Sequence, residues 1–273
     1  MENKTLSPSA LSTIDDYIRF TIGAAVCSVP YFNNNSAKRR ASLSVFVGKG
    51  SPREIHEEVE SILMMIRTSP GSFTSESLKK ILTESGIGID CSGFAYHILN
   101  AECESRGEKS LSSHLKLTQV TGIFSKITAF TNPVRHVGVR TFAHEANSRS
   151  ITLSEIQPGD IITMLAGPDE KDRNHILVVH EVEYRDVQRA PTANTTPSSS
   201  RSIPVKIYYS HSVAYPTDGK YSTGIKQGVI EISDITKPIT EARWIENRME
   251  GSDNLMYVRA HKSITDLRRL KWW

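Results

Sequence analysis

Three residues in this sequence could together perform nucleophilic chemistry: Cys91 and two later histidines, His175 and His211. A cysteine attacks a carbonyl as its thiolate, and a free thiol is mostly protonated at neutral pH. A histidine can take that proton, provided that a further group orients its ring. We therefore take Cys91, His175 and His211 as a candidate catalytic set for attack on an amide carbonyl.

The local sequence around Cys91 predicts the start of a helix, a setting that favours a thiolate. Asp90 is a suitable N-cap, and the unpaired backbone N–H groups of a first helical turn favour negative charge. Ser92 and Gly93 are small enough to leave room for a substrate. On this feature alone a cysteine is more often a small buried apolar residue, so further landmarks are needed.

The two histidines lie in predicted strands, where alternate residues share a face. His175 and Leu177 point to one face and His180 to the other, so His175 and His180 cannot both face the cysteine. On the neighbouring strand Tyr209 and His211 share a face, and cross-strand pairing could set His211 beside His175. Either histidine could instead be structural. His180 and His144 lie beside acidic residues but lack the spacing of a zinc motif.

Several motifs fall in the order found in a known family. They are Pro30-Tyr31 after a helix, Asp90-Cys91-Ser92-Gly93-Phe94, the turn Pro158-Gly159-Asp160, the strand that begins at His175, and Tyr208-Tyr209-Ser210-His211-Ser212. This order resembles that of the NlpC-type cysteine peptidases, which cut bacterial cell-wall peptides. In place of the family's usual Trp-Gly-Gly after the tyrosine, this chain has Phe32-Asn33-Asn34.

The resemblance implies a papain-like fold and a role for each matched residue. Cys91 would be the nucleophile, His175 its base and His211 the group that orients His175. Tyr31 would lie beside the oxyanion site. The substrate would be a peptidoglycan stem peptide, typically cut between D-glutamate and a diamino acid.

The elements that must position these residues are four helices followed by a run of strands. The apolar spacing predicts helices over Leu11–Ile22, about Pro52–Arg67, about Ser75–Thr83 and about Cys91–Glu102. Short apolar runs predict antiparallel strands at Asp160–Met164, His175–Val182, Val205–Val213, Gly228–Ile232 and Leu255–Ala260. This order is typical of an α+β fold in which the nucleophile helix packs on an antiparallel sheet.

We predict one hydrolase domain over residues 1–273, interrupted twice. Helices between about residues 36 and 85 form an insertion that separates Tyr31 from Cys91. A segment rich in Pro, Ser and Thr, about residues 185–204, is predicted to be a flexible extension between two strands.

Composition narrows the possible partners. The chain of 273 residues has a formal net charge of +3, which is too small to predict nucleic-acid binding. We expect two basic clusters, Lys38-Arg39-Arg40 and Arg268-Arg269 with Lys271, to be solvated. The three cysteines match no zinc pattern, and no cofactor motif is present. The amino terminus lacks a secretory signal and no segment is long enough to span a membrane, so the sequence predicts a cytoplasmic protein or one exported by a non-classical route.

Two other functions remain open from the sequence. The same thiol and base could serve an amidase or acyltransferase that acts on another substrate. Alternatively, the chain could be a non-catalytic binding module that retains the fold.

Overall fold

The computed structural model describes residues 1–34, 43–67, 71, 73–118, 120, 128–129, 131–167, 174–188 and 200–273. Within these ranges the helices are α1 (Pro8–Ile18), α2 (Pro52–Met65), α3 (Ser75–Ser85), α4 (Cys91–Ser105), α5 (Val139–Ala143) and α6 (Leu255–Lys262). The strands are β1 (Glu2–Thr5), β2 (Phe20–Ile22), β3 (Ala25–Cys27), β4 (Ser148–Ser150), β5 (Ile161–Leu165), β6 (His175–Gln188), β7 (Ser200–Val213), β8 (Gly224–Glu231), β9 (Arg243–Glu246), β10 (Met249–Glu250) and β11 (Ile264–Leu270).

A nine-stranded antiparallel sheet forms the centre of the described structure. Its strands are ordered β10-β9-β8-β7-β6-β5-β11-β4, and β1 pairs with β6 outside this path. Strands β6, β7, β8 and β9 are consecutive in sequence and adjacent in space, which is typical of an antiparallel meander. Helices and an antiparallel sheet thus coexist, and the predicted α+β class is confirmed.

The central strand β6 is buried on both faces, and its side chains alternate between two apolar clusters. Ile176 and Val178 pack in the cluster that contains α1 and α4. Leu177 and Val179 pack in the cluster on the opposite side, which contains residues of β7, β9 and α6. Burial on both faces fixes the register of β6, because a shift by one residue would exchange the two sets of side chains.

Local capping explains where the predicted helices begin. The Ser51 side chain accepts from the backbone N–H of Glu54, and the Glu54 carboxylate accepts from the N–H of Ser51, a capping box that starts α2. Gly86 ends α3 in the left-handed conformation, with φ of 68°. The predicted positions of α2, α3 and α4 are confirmed to within a few residues at their carboxyl ends.

Two predicted elements are wrong in part or in whole. The first helix ends at Ile18, and Phe20–Ile22 is instead a strand that turns at Gly23 (φ 59°) to pair with Ala25–Cys27. The segment Leu255–Ala260 is not a strand but lies in α6, because the Asn254 side chain accepts from two backbone N–H groups and caps a helix there. Short apolar runs fit either periodicity, and the cap decides between them.

The basic pair Arg268-Arg269 is not solvated as predicted. Arg268 is buried and donates to Glu145, Asp266 and Ser148. Arg269 holds both carboxylate oxygens of Asp160 at 2.8 Å. Because the backbone of Asp160 also accepts from the Val179 N–H, this fork ties the Pro-Gly-Asp turn to β6.

The two predicted interruptions are described only in part. The insertion contributes α2, α3 and a short helical turn at Ser44–Val47, whereas residues 35–42 lie outside the described part, as does the Lys38-Arg39-Arg40 cluster. Strands β6 and β7 pair as far as Gln188 and Ser200, so both ends of the proposed extension are strand, and residues 189–199 lie outside the description. Among the described residues, no helix combines the length and the apolar character that crossing a bilayer requires.

Candidate functional site

Cys91 is the first residue of α4, and its position is fixed from both sides. The Asp90 carboxylate caps the helix by accepting from the Gly93 N–H at 2.6 Å. Phe94, Ile98 and Leu99 are fully buried and anchor the helix on the sheet. The Cys91 sulfur accepts a hydrogen bond from the backbone N–H of Ile176. The nucleophile candidate is therefore in contact with the residue that follows His175.

The two candidate histidines lie together, as their strand faces predicted. His175 Nε2 is 2.8 Å from His211 Nδ1, and the two rings meet edge to face with centroids 5.0 Å apart. Both histidines are buried. His180 points away from this pair and bonds Ser210 Oγ at 3.0 Å, so it is structural.

Glu246 extends the histidine pair into a chain of three groups. Its Oε2 atom lies 2.8 Å from His211 Nε2 and accepts from the Tyr209 hydroxyl at 3.1 Å, while Oε1 accepts from the Tyr215 hydroxyl. Sequence reasoning missed this residue because β9 was not predicted. Its only signal was the apolar pair in Trp244-Ile245 beside an acid, which is too short to identify a strand.

Lys49, from the predicted insertion, is a second missed residue of the site. Its ammonium group lies 2.8 Å from both oxygens of Asp90, 2.5 Å from Ser92 Oγ and 2.9 Å from the Val137 carbonyl. Only 7% of its side chain is exposed. Lys49 therefore balances the charge of the carboxylate that caps the nucleophile helix.

Of the two small residues that were predicted to leave space for substrate, Ser92 borders a cavity, whereas Gly93 is enclosed by neighbouring segments. Ser92 is buried, and its hydroxyl group forms hydrogen bonds with Lys49, Asp90 and the Val137 carbonyl. A Cβ atom on Gly93 would lie 2.6 Å from the Gly48 carbonyl oxygen. Gly93 is required because the backbone of the insertion passes close to α4.

Tyr31 is brought to the nucleophile segment across the insertion. It forms a parallel bridge with Ile89, and the Ile89 N–H donates to the Pro30 carbonyl at 3.0 Å. The Asn33 amide donates to the Tyr31 hydroxyl at 3.3 Å. Burial raises the pKa of Tyr31, and negative charge on Cys91 or Asp90 raises it further, which keeps the hydroxyl protonated and able to donate.

Burial has the largest effect on the pKa values of Cys91 and His175. It raises the pKa of the Cys91 thiol to about 11, although Lys49 and Arg259 act in the opposite direction. Burial also lowers the pKa of His175 well below its ordinary value, and Arg259 on α6 adds to that effect. At rest the site therefore holds a neutral thiol and a neutral imidazole.

A cavity of about 430 Å³ opens beside the residues that flank Cys91. Its lining includes the charged residues Lys49, Asp90 and Arg135, together with the amide side chains of Asn33 and Asn34. Among the described residues of this lining, two cations accompany one carboxylate. Such a cavity suits an anionic, hydrogen-bonding group.

Among the described residues, no group of three or more His, Cys, Asp and Glu side chains has an arrangement suited to a metal ion. Comparisons with family models, with curated proteins and with solved structures found no match to this chain. The functional inferences below therefore depend on the geometry of the described residues and on the motif order in the sequence.

Proposed function

We propose that this chain is a cysteine hydrolase with a papain-like arrangement of nucleophile helix and sheet, and that it cleaves an amide bond. One observation carries the proposal: the capped first residue of α4, Cys91, contacts the strand start at Ile176, and the adjacent His175 is hydrogen-bonded to His211. These contacts support a nucleophile, a base and an orienting group that act together at the beginning of β6.

In the proposed reaction, His175 Nδ1 takes the Cys91 proton as the sulfur attacks the carbonyl carbon. The oxyanion is held by the backbone N–H of Cys91, which lies in the first turn of α4, and by the Tyr31 hydroxyl. His175 then gives its proton to the leaving amine as the C–N bond breaks, which leaves a thioester. Water, deprotonated by His175, hydrolyses the thioester and regenerates the thiol.

The proposed substrate is a peptidoglycan stem peptide. The order of the motifs around Tyr31, Cys91, His175 and His211 supports this choice through its resemblance to the NlpC-type peptidases. Arg135, which lines the cavity beside Asp90 and Ser92, adds support, because a D-glutamate next to the scissile bond retains a free carboxylate that an arginine can bind in bidentate fashion.

The direct test is hydrolysis of purified muropeptides by the wild-type chain and by Cys91→Ala. We expect the variant to lose hydrolysis down to background, because its attacking atom is gone. Cys27→Ala is the matched control, since burial raises the pKa of the Cys27 thiol to about 11 as well, but Cys27 lies in β3 away from the histidine pair. Unchanged hydrolysis by Cys91→Ala would refute the proposal.

One observation favours a binding module as the second candidate, namely the burial of Cys91, which raises the pKa of its thiol. Alkylation by iodoacetamide across pH separates the two. If His175 assists the thiol, Cys91 should react well below pH 11 and faster than Cys27, whereas a binding module should show equally slow reaction at both. Rapid alkylation without muropeptide cleavage would favour an amidase or acyltransferase with another substrate.

A further inference from the structure

We propose that Glu246 is a positioning residue that acts through His211 to hold His175 in the tautomer whose Nδ1 is unprotonated. The inference deepens the proposed hydrolase mechanism and takes its catalytic meaning from that mechanism. The tautomers themselves can be measured without a substrate. Glu246 contacts His211, which in turn contacts His175, and no local pattern in the sequence marks Glu246.

The contacts of Glu246 favour an ionised carboxylate. Tyr209 and Tyr215 both direct hydroxyl donors at it, and His211 Nε2 lies 2.8 Å from its Oε2 atom. An ionised carboxylate accepts all three hydrogen bonds at once, from the two hydroxyls and from a ring N–H of His211. Burial acts to raise the pKa of Glu246, and the hydrogen bonds from His211, Tyr215 and Tyr209 act to lower it.

When His211 is neutral, an ionised Glu246 determines the proton positions on both histidines. A carboxylate only accepts hydrogen bonds, so His211 must carry its proton on Nε2. In a neutral His211 the Nδ1 atom then accepts, and His175 Nε2, at 2.8 Å, must donate to it. Because neutral His175 carries its single proton on Nε2, its Nδ1 has the lone pair that a general base needs.

The same chain stabilises the charge that forms during the reaction. When His175 takes the thiol proton it becomes a buried imidazolium, which burial and the nearby Arg259 both disfavour. Glu246 supplies a negative charge two hydrogen bonds away, through His211. No proton has to leave the chain, since the thiol proton moves to Nδ1 and the Nε2 proton of His175 stays in its bond to His211.

The first test is ring-nitrogen NMR spectroscopy of the wild-type chain with isotope-labelled histidine, at neutral pH. His175→Gln and His211→Gln spectra assign the signals. We expect both His175 and His211 to be protonated on Nε2 and unprotonated on Nδ1. A His175 protonated on Nδ1, as it would be if His211 carried two protons and donated to it, would overturn the inference.

The second test is Glu246→Gln, with the exposed Glu250→Gln on β10 as the matched control for loss of one negative charge. We expect Glu246→Gln to populate both tautomers of His175 and to lower kcat about 10- to 100-fold with little change in KM. Unchanged tautomers and unchanged kcat would overturn the inference. If this variant does not fold, the wild-type spectrum decides. If the histidines have the expected tautomers but the protein cleaves no amide, the proposed function is refuted. The role of Glu246 in setting the tautomers is then retained.

Discussion

Replacement of Lys49 by methionine tests how the site is built, because it removes a buried cation while it keeps most of the apolar stem. In the native chain the ammonium group bonds Asp90, Ser92 and the Val137 carbonyl. The side chains of Lys49 and Asp90 are only 7% and 13% exposed. The substitution therefore removes the ammonium group that neutralises the Asp90 carboxylate, and solvent has little access to replace it.

The size of the effect follows from these contacts. Removal of one partner from a buried ion pair typically costs about 3–5 kcal/mol. The lower end applies here, roughly 3 kcal/mol, because the Gly93 N–H and the Ser92 hydroxyl still donate to Asp90. Asp90→Asn keeps a capping oxygen, so its cost should be smaller, roughly 1–2 kcal/mol. Because each single variant leaves the other charge buried, the double variant should lose about 1–2 kcal/mol less than the sum.

Urea unfolding monitored by circular dichroism measures the four free energies of this cycle. Alkylation of Cys91 at a fixed pH supplies a second measurement with a signed prediction. Lys49 lowers and Asp90 raises the pKa of the thiol, so Lys49→Met should slow alkylation and Asp90→Asn should accelerate it. A coupling energy near zero, or shifts of the same sign in both variants, would refute the role given to Lys49.

Two further predictions concern stability in acid and recognition of substrate. Burial lowers the pKa of His180 from 6.5 to about 4, so the unfolded chain binds a proton more readily between these values, and stability should fall by about 3 kcal/mol as pH drops from 7 to 4. His180→Gln should flatten this decline in urea unfolding at several pH values, and an unaltered slope would contradict the assignment. Arg135→Gln should raise KM about tenfold for muropeptides with a free D-glutamate carboxylate but not for the amidated form, and an equal effect on both would argue against a carboxylate subsite.

The parts of the molecule that local patterns determine could be predicted from the sequence. Asp90 and Cys91 open a helix because a capping side chain precedes a run of good core residues, and this signal lies within a few positions. The meeting of His175 and His211 follows from strand alternation once the two strands are known to pair. The papain-like detail and the catalytic roles remain predictions.

The residues that the sequence did not reveal reach the site through long-range contacts. Lys49 is 41 positions from Asp90, and Glu246 is 35 positions from His211. No local periodicity marks either residue, because each owes its position to how separate segments pack. Arg259 was missed for another reason: its helix was taken for a strand, which hid the face that carries it.

The signs of these missed charges resolve an apparent conflict in the site. Burial raises the pKa of the Cys91 thiol to about 11 and depresses the pKa of His175, so both groups are uncharged at rest. A neutral thiol is a poor nucleophile. In the proposed reaction, the Cys91 proton passes to His175 during attack. A negative sulfur and a positive imidazolium therefore form together in a buried site. Glu246, which is hydrogen-bonded to His211, would stabilise the positive charge on His175. Lys49 and Arg259 lower the pKa of Cys91 and would stabilise its thiolate. The proposed mechanism thus relies on charges that are arranged in advance to stabilise the transition state more than the resting state, and that difference is what accelerates a reaction.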